Sequence, residues 1–170
     1  SGTITATINV EQKATISYSL TYVLSDTKSN LISDTATSAM LQGATTINVN
    51  NDEDISIANI ASIAAKNNSN DPTYTKVTDS VTNLISADAS KLDNKTIVIT
   101  DTATAAQYRE VLTDAGSGSV SGVVVDGTTN DLKTGTALTG ATSITHTVQS
   151  GNKDLKSYAF LSGTSLNGVE

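Results

Sequence analysis

The chain has 170 residues, 37% hydrophobic and only 16% charged, with a net charge of −7 and no cysteine. That length allows one domain with a sizeable core, or one short array of stacked units. Absent cysteine removes disulfide frameworks, thiol nucleophiles and zinc–thiolate sites, and ten basic residues against seventeen acidic ones leave no basic face for nucleic acid.

Residues 1–24 are expected to form an N-terminal β-hairpin. Ile4, Ala6, Ile8 and Val10 alternate along one strand, Ile16, Tyr18, Leu20, Tyr22 and Leu24 along the next, and Glu11-Gln12-Lys13 is the turn. A first repeat unit covers 20–72. In it Asp26 caps a polar helical segment that continues through Thr35 to Leu41 and stops at Gly43. Thr46 to Asn50 is a strand, Asn51-Asp52-Glu53-Asp54 a second cap region, and Ile57, Ile60, Ala61 and Ala64 trace one helix face. Asn67 to Pro72 is a polar linker.

The second unit, 73–119, repeats that order. Tyr74 to Val77 is a strand, Asp79 caps a segment through Leu84, and Thr96 to Thr100 is a buried strand. Asp101 caps a helix carrying Ala105, Tyr108, Val111, Leu112 and Ala115, and Gly116-Ser117-Gly118-Ser119 is a flexible turn. A partial third unit, 120–161, holds a strand at Val120 to Val125, a cap at Asp126, apolar Leu132 and Leu138, a strand at Ile144 to Val148 and a closing strand at Leu155 to Leu161. Residues 162–170 are a flexible tail or a link to a next module. The expected class is α/β: a solenoid-like array of strand–helix–strand–helix units with partly parallel sheet. An all-β sandwich is the alternative, because Thr and Val are frequent even in the helical segments.

The chain also repeats its wording. Met40-Leu41-Gln42-Gly43-Ala44-Thr45-Thr46-Ile47 returns 97 residues later as Ala137-Leu138-Thr139-Gly140-Ala141-Thr142-Ser143-Ile144. Asp-x-x-x-Asn followed by Leu occurs at Asp26/Asn30/Leu31, Asp79/Asn83/Leu84 and Asp126/Asn130/Leu132, at spacings of 53 and 47 residues. A period near this size marks a chain built by stacking one supersecondary unit. The small aliphatics that dominate its apolar content suit thin layers, and aromatics are only 4%.

Few residues invite a chemical reading. The Asp-x-x-x-Asn pairs sit one helical turn apart and have the donors for a cation, but capping accounts for an Asp at every strand-to-helix boundary. Asp52, Glu53 and Asp54 are the densest acidic cluster and the weak candidates for calcium, a metal that takes hard oxygen ligands. They lack the glycine of an EF-hand loop and fit a first helical turn, where the dipole favours acids. His146, the single histidine, reads as a surface strand residue, since zinc needs more ligands and no Gly-x-Ser-x-Gly elbow accompanies it. The Gly-Ser run at 116–119 lacks the lysine of a phosphate loop. Asn67-Asn68-Ser69 and Asn94-Lys95-Thr96 match the glycosylation pattern, which is common in so Asn/Ser/Thr-rich a chain. Tyr18, Tyr22, Tyr74, Tyr108 and Tyr158 read as core packing rather than a sugar-stacking row. No run approaches a membrane span, and the chain opens directly on a strand pattern, as a piece of a longer protein would.

Three stretches carry a resemblance. Tyr22-Val23-Leu24-Ser25-Asp26-Thr27-Lys28-Ser29-Asn30-Leu31, Tyr74 to Leu84 and Thr96 to Ala105 resemble the repeats of very large cyanobacterial and proteobacterial surface proteins of S-layer-like or adhesin-like type, and of cyanophage fibre proteins. The resemblance covers roughly residues 20 to 150, and the third unit departs from it by an extra residue, Asp131. It implies an extracellular, cell-surface or virion-surface structural role and transfers no catalytic residue. The expected function is therefore a non-catalytic scaffold or spacer, with no cofactor. Its partners would be neighbouring repeats of the same chain, further copies of itself, or a surface glycan. A glycan- or surface-binding adhesion module, calcium-dependent or not, is the alternative. A hydrolase would need two carboxylates facing each other across a groove.

Overall fold

The computed structural model describes residues 22–33, 38–50, 53–126 and 137–146, with the side chains of residues 38, 39, 126, 145 and 146 left out. The elements run β1 (Tyr22–Asp26), α1 (Lys28–Ile32), α2 (Ser38–Gln42), β2 (Ala44–Val49), β3 (Asp54–Ile55), α3 (Ile57–Lys66), β4 (Lys76–Asp79), α4 (Val81–Ile85), a 3-10 turn (Ala89–Lys91), β5 (Thr96–Ala103), α5 (Ala105–Ala115), β6 (Ser119–Asp126) and β7 (Ala141–His146).

All described strand pairs are parallel. β1 pairs with β2, and β3 to β7 form a five-stranded sheet in chain order. The two sheets meet where the Val49 amide donates to Thr73 O at 2.9 Å and the Thr73 amide to Ile47 O at 2.7 Å. Paired residues lie 19 to 23 apart in the chain, and helices lie in the connections of four of the five strand pairs, as parallel neighbours allow. The connections alternate. Two short helices join β1 to β2, a ten-residue helix joins β3 to β4, a short helix and a 3-10 turn join β4 to β5, and an eleven-residue helix joins β5 to β6.

The fold is thus mixed α/β with parallel sheet, and helices in the connections rule out the all-β sandwich. Most expected strands and both long helices are present, with shifted starts: β4 begins at Lys76 rather than Tyr74, and β7 begins at Ala141 rather than Ile144, while residues 147 and 148 lie outside the described residues. The hairpin's first strand and turn lie outside the described residues. Its end, 22–24, belongs to β1, whose described partner is β2. The third unit's helix, its closing strand and the tail also lie outside.

One face of the sheet carries the core. Ile55, Val77, Ile97 and Val120 are register partners across four strands and are all buried. Ala103, Val124 and Ile144 make a second row. Side chains of similar size stacked at one strand spacing fill a layer without voids. The helices lock on through a shared position. Leu31, Ile60, Leu84 and Tyr108 each stand fourth in their helix and are buried to 2% exposure or less.

Glycine sets the tight corner after α5. The Gly116–Ser119 turn is hydrogen-bonded rather than free: the Gly118 amide donates to Ala115 O at 2.8 Å and the Ser119 amide to Lys95 O at 3.0 Å. A Cβ on Gly118 would lie 2.1 Å from Lys95 O, so backbone must move. Gly118→Ala should therefore cost more than about 1 kcal/mol in urea denaturation, beyond any gain from stiffening the unfolded chain. Unchanged stability would show that the corner yields.

Candidate functional site

The recurring acids are the best-built polar feature of the molecule, and they are not N-caps. The caps are hydroxyls: Thr27, Ser56, Ser80 and Thr104 each accept from the amide three residues on, at 3.2 to 3.3 Å. That third residue is Asn30, Asn59, Asn83 or Gln107, and the buried apolar residue follows it. Thr104 and Gln107 complete a capping box. The signal available in the sequence was hydroxyl-x-x-amide-apolar, in four copies, two of which lack the Asp-x-x-x-Asn pattern.

Asp79 shows what the acids do. Its Oδ1 accepts from the Ser80 amide at 2.8 Å and from Asn83 Nδ2 at 2.7 Å. Its Oδ2 accepts from the Ile57 amide, the first residue of α3 in the preceding connection, at 2.9 Å. Asp101 Oδ1 accepts in the same way from the first amide of α4, Val81, at 2.7 Å. Glu53 Oε2 accepts from the first amide of α1, Lys28, at 2.6 Å. A carboxylate here satisfies an otherwise orphaned helix amide and meets the positive end of the helix dipole. Asp26 repeats half of the arrangement, with Oδ1 accepting from the Thr27 amide at 2.7 Å and Asn30 Nδ2 at 2.8 Å. These bonds, Asn30 first, hold its carboxyl below the usual range.

The calcium candidates divide among protein partners. Glu53 takes the Lys28 amide, and Asp54, which lies in β3 and not in a first helical turn, pairs with Lys76 at 2.6 Å. Lys28 Nζ also donates to Asp54 O. Asp52 lies outside the described residues. Among the described residues no three His, Asp or Glu side chains converge as a metal site. The Lys76 hydrogen bond lowers the Asp54 pKa, and the Ser90 side chain lowers that of Asp88. The side chain of His146 and those of Asp126, Tyr18 and Tyr158 lie outside the described set.

The described tyrosines act as staples. Tyr74 and Tyr108 are buried, and Tyr22 is half-buried. The Tyr22 hydroxyl donates to Met40 O, that of Tyr74 to Lys91 O at 3.0 Å, and that of Tyr108 is shared between Val120 O at 2.9 Å and Thr139 O at 3.1 Å. Burial pushes the Tyr108 phenol up to about 12 and raises Tyr74 further. Tyr22 and Tyr108 each fasten the strand entry built by the repeated Leu-x-Gly-Ala words at 41–44 and 138–141. The sequon at Asn67 is internal, since Asn67 is buried and trades amide–carbonyl bonds with Asn70.

A cleft of about 400 Å³ opens where β2 meets the approach to β4, lined by Ser25, Asn48–Asn50 and Thr73–Thr75. Among the described residues no charged side chain lines it, and the Tyr74 ring is too enclosed to offer a stacking face. No helix among the described residues is long and apolar enough to cross a membrane. Compared with family models, curated proteins and solved structures, the chain matches none.

A carboxyl whose folded pKa is lowered adds stability above its unfolded pKa, near 3.9, and loses it as pH falls through the folded value. Asp26, Asp54 and Asp88 are all lowered. The melting temperature should hold from neutral pH to about 4.5 and fall below about pH 4, less steeply in Asp54→Asn. A variant with the wild-type slope would remove Asp54 from that account.

Proposed function

We propose that this chain is a non-catalytic structural repeat segment of a large extracellular or virion-surface protein of S-layer, adhesin or fibre type, serving as scaffold or spacer. One observation carries the reading: an acid in or next to a strand closes the first turn of a helix 20 to 25 residues earlier, at Glu53–Lys28, Asp79–Ile57 and Asp101–Val81. Such a clasp makes each strand–helix step depend on its neighbour, as stacked units do. The alternation of short- and long-helix connections supports a unit of about fifty residues built from two such steps. Calcium is not needed by this reading, since Glu53, Asp79 and Asp101 accept from helix amides and Asp54 pairs with Lys76.

Asp79→Ala removes three hydrogen bonds and should lower unfolding free energy by about 2–3 kcal/mol in a single transition, while calcium against EDTA leaves the melting temperature of the wild type unchanged. A neutral Asp79 variant would remove the clasp. A calcium-induced rise of many degrees would bring a calcium-dependent adhesion module to the front.

The cleft favours a second reading, an adhesion module that holds a neutral sugar. The amides and hydroxyls of its described lining, Ser25, Asn48, Asn50, Thr73 and Thr75 beside Val49 and Tyr74, suit hydroxyl groups better than ions. Titration with neutral oligosaccharides should then shift the amide resonances of Asn48, Asn50 and Thr75 together. Flat titrations would retire it.

A further inference from the structure

The chain carries two Asn-x-Ser/Thr words, and the fold treats them in opposite ways. Asn67 is buried, and its Nδ2 donates to Asn70 O at 3.3 Å. Asn94 is exposed, in the turn that leads from the 3-10 turn into β5, with a φ of 59°. Asparagine is among the few residues that tolerate this left-handed backbone. Positions 94 to 96 then alternate in direction. Asn94 Oδ1 accepts from Ser117 Oγ, and Thr96 Oγ1 accepts from Ser119 Oγ at 3.4 Å, so both side chains run beside the same neighbouring segment. Lys95 between them turns elsewhere, with its Nζ over the Tyr74 ring at 5.2 Å. Thr96 is exposed like Asn94. The amide nitrogen and the hydroxyl two residues on, the pair that defines the acceptor word, therefore reach the surface on one side of the chain. The segment beside them, Gly116-Ser117-Gly118-Ser119, brings no side chain larger than a hydroxymethyl group to that side.

We propose that Asn94 is an N-glycosylation acceptor in the folded chain, taking its sugar from a glycosyl diphosphate. Asn94 Nδ2 bonds to C1 of the sugar, and the C1–O bond to the diphosphate breaks. The diphosphate leaves with the electron pair, and Nδ2 gives up one proton to a base of the transferase. The product fits the turn as it stands. A substituted amide keeps one N–H, enough for the bond that Nδ2 makes to Asp93 Oδ2 at 2.8 Å, and its Oδ1 still accepts from Ser117. The sugar itself is a bulky, solubilising group at the surface and displaces nothing in the core. Nucleoside-linked and lipid-linked donors share this chemistry, and the test separates them. The inference goes beyond the scaffold reading and stands without it, because the acceptor geometry belongs to the turn alone.

Peptide mapping of the whole folded chain by mass spectrometry tests it. One arm uses a sequon-specific N-glycosyltransferase with UDP-glucose, the other a membrane oligosaccharyltransferase with its lipid-diphosphate oligosaccharide. The expected result is sugar on Asn94 in at least one arm and on Asn67 in neither, with the melting temperature of the product within a few degrees of the unmodified chain. The arm that succeeds names the donor. Asn94→Gln and Thr96→Val should each lose the modification, and Thr96→Ser should keep it. Valine has the shape of threonine and suits a strand, so T96V keeps the test alive if N94Q disturbs the left-handed turn. Asn94 left bare in both arms would overturn the proposal, as would Asn67 modified as fully as Asn94. A product that has lost many degrees of stability would overturn it too, since the turn would then not accommodate the sugar.

Discussion

Unsatisfied amides at helix starts are the constraint on which this molecule depends. The first turn of any helix leaves N–H groups with no partner inside the helix. The described helices run from five to eleven residues, lengths at which a helix in water is marginal by itself. Here each of the four hydroxyl-capped starts is met by its own cap, and three of them are met again by a carboxylate from 20 to 25 residues further along the chain. The second partner ties local structure to tertiary order. A strand cannot leave its place without opening a helix 20 to 25 residues earlier in the chain, and the helix cannot unwind without stripping a carboxylate of its donor.

The aliphatic rows supply the complementary force. Ile55, Val77, Ile97 and Val120 are buried register partners, so apolar burial and strand pairing reinforce each other at the same positions. Branched side chains serve this well, because they lose little freedom on a pleated surface and stack at the strand spacing. The near-absence of aromatics follows from the same geometry. A layer one strand thick has no centre that a Trp would fill, and the described tyrosines each fasten a backbone carbonyl of a later element: Met40 of α2, Lys91 of the 3-10 turn and Val120 of β6.

Much of this was legible in the sequence, because its signals are local. The apolar spacing of Ile57, Ile60 and Ala64 and of Ala105, Tyr108 and Val111 identifies the two long helices, and the aliphatic runs identify β5 and β6. The roles within each cap were not legible. Asp, Thr and Ser are all good caps, so Asp26-Thr27 and Asp79-Ser80 offer two candidates side by side, and only the fold decides that the hydroxyl caps while the acid reaches elsewhere. The reach itself has no local signature. Glu53 sits 25 residues from Lys28 and Asp79 22 from Ile57, separations set by sheet register. Register sets the strand spacing as well: paired residues lie 19 to 23 apart, a separation that no local pattern announces.

The distribution of positive charge points the same way as the clasps. Each of the five described lysines is used within the molecule. Lys28 donates to Asp54 O, Lys66 to the carbonyls of Ile32 and Ser33 at the end of α1, Lys76 to Asp54 and Lys91 to Asp71, while Lys95 lies over the Tyr74 ring at 5.2 Å. The described acids at strand ends are likewise spent on amides and asparagines. Charge therefore acts mainly inside the framework, and the exposed sheet face is left to Thr, Ser and a few Val side chains. A surface of that kind offers little to a charged partner and exerts little long-range steering. What the described residues offer instead is neutral hydroxyls on the sheet face, groups that act only at short range.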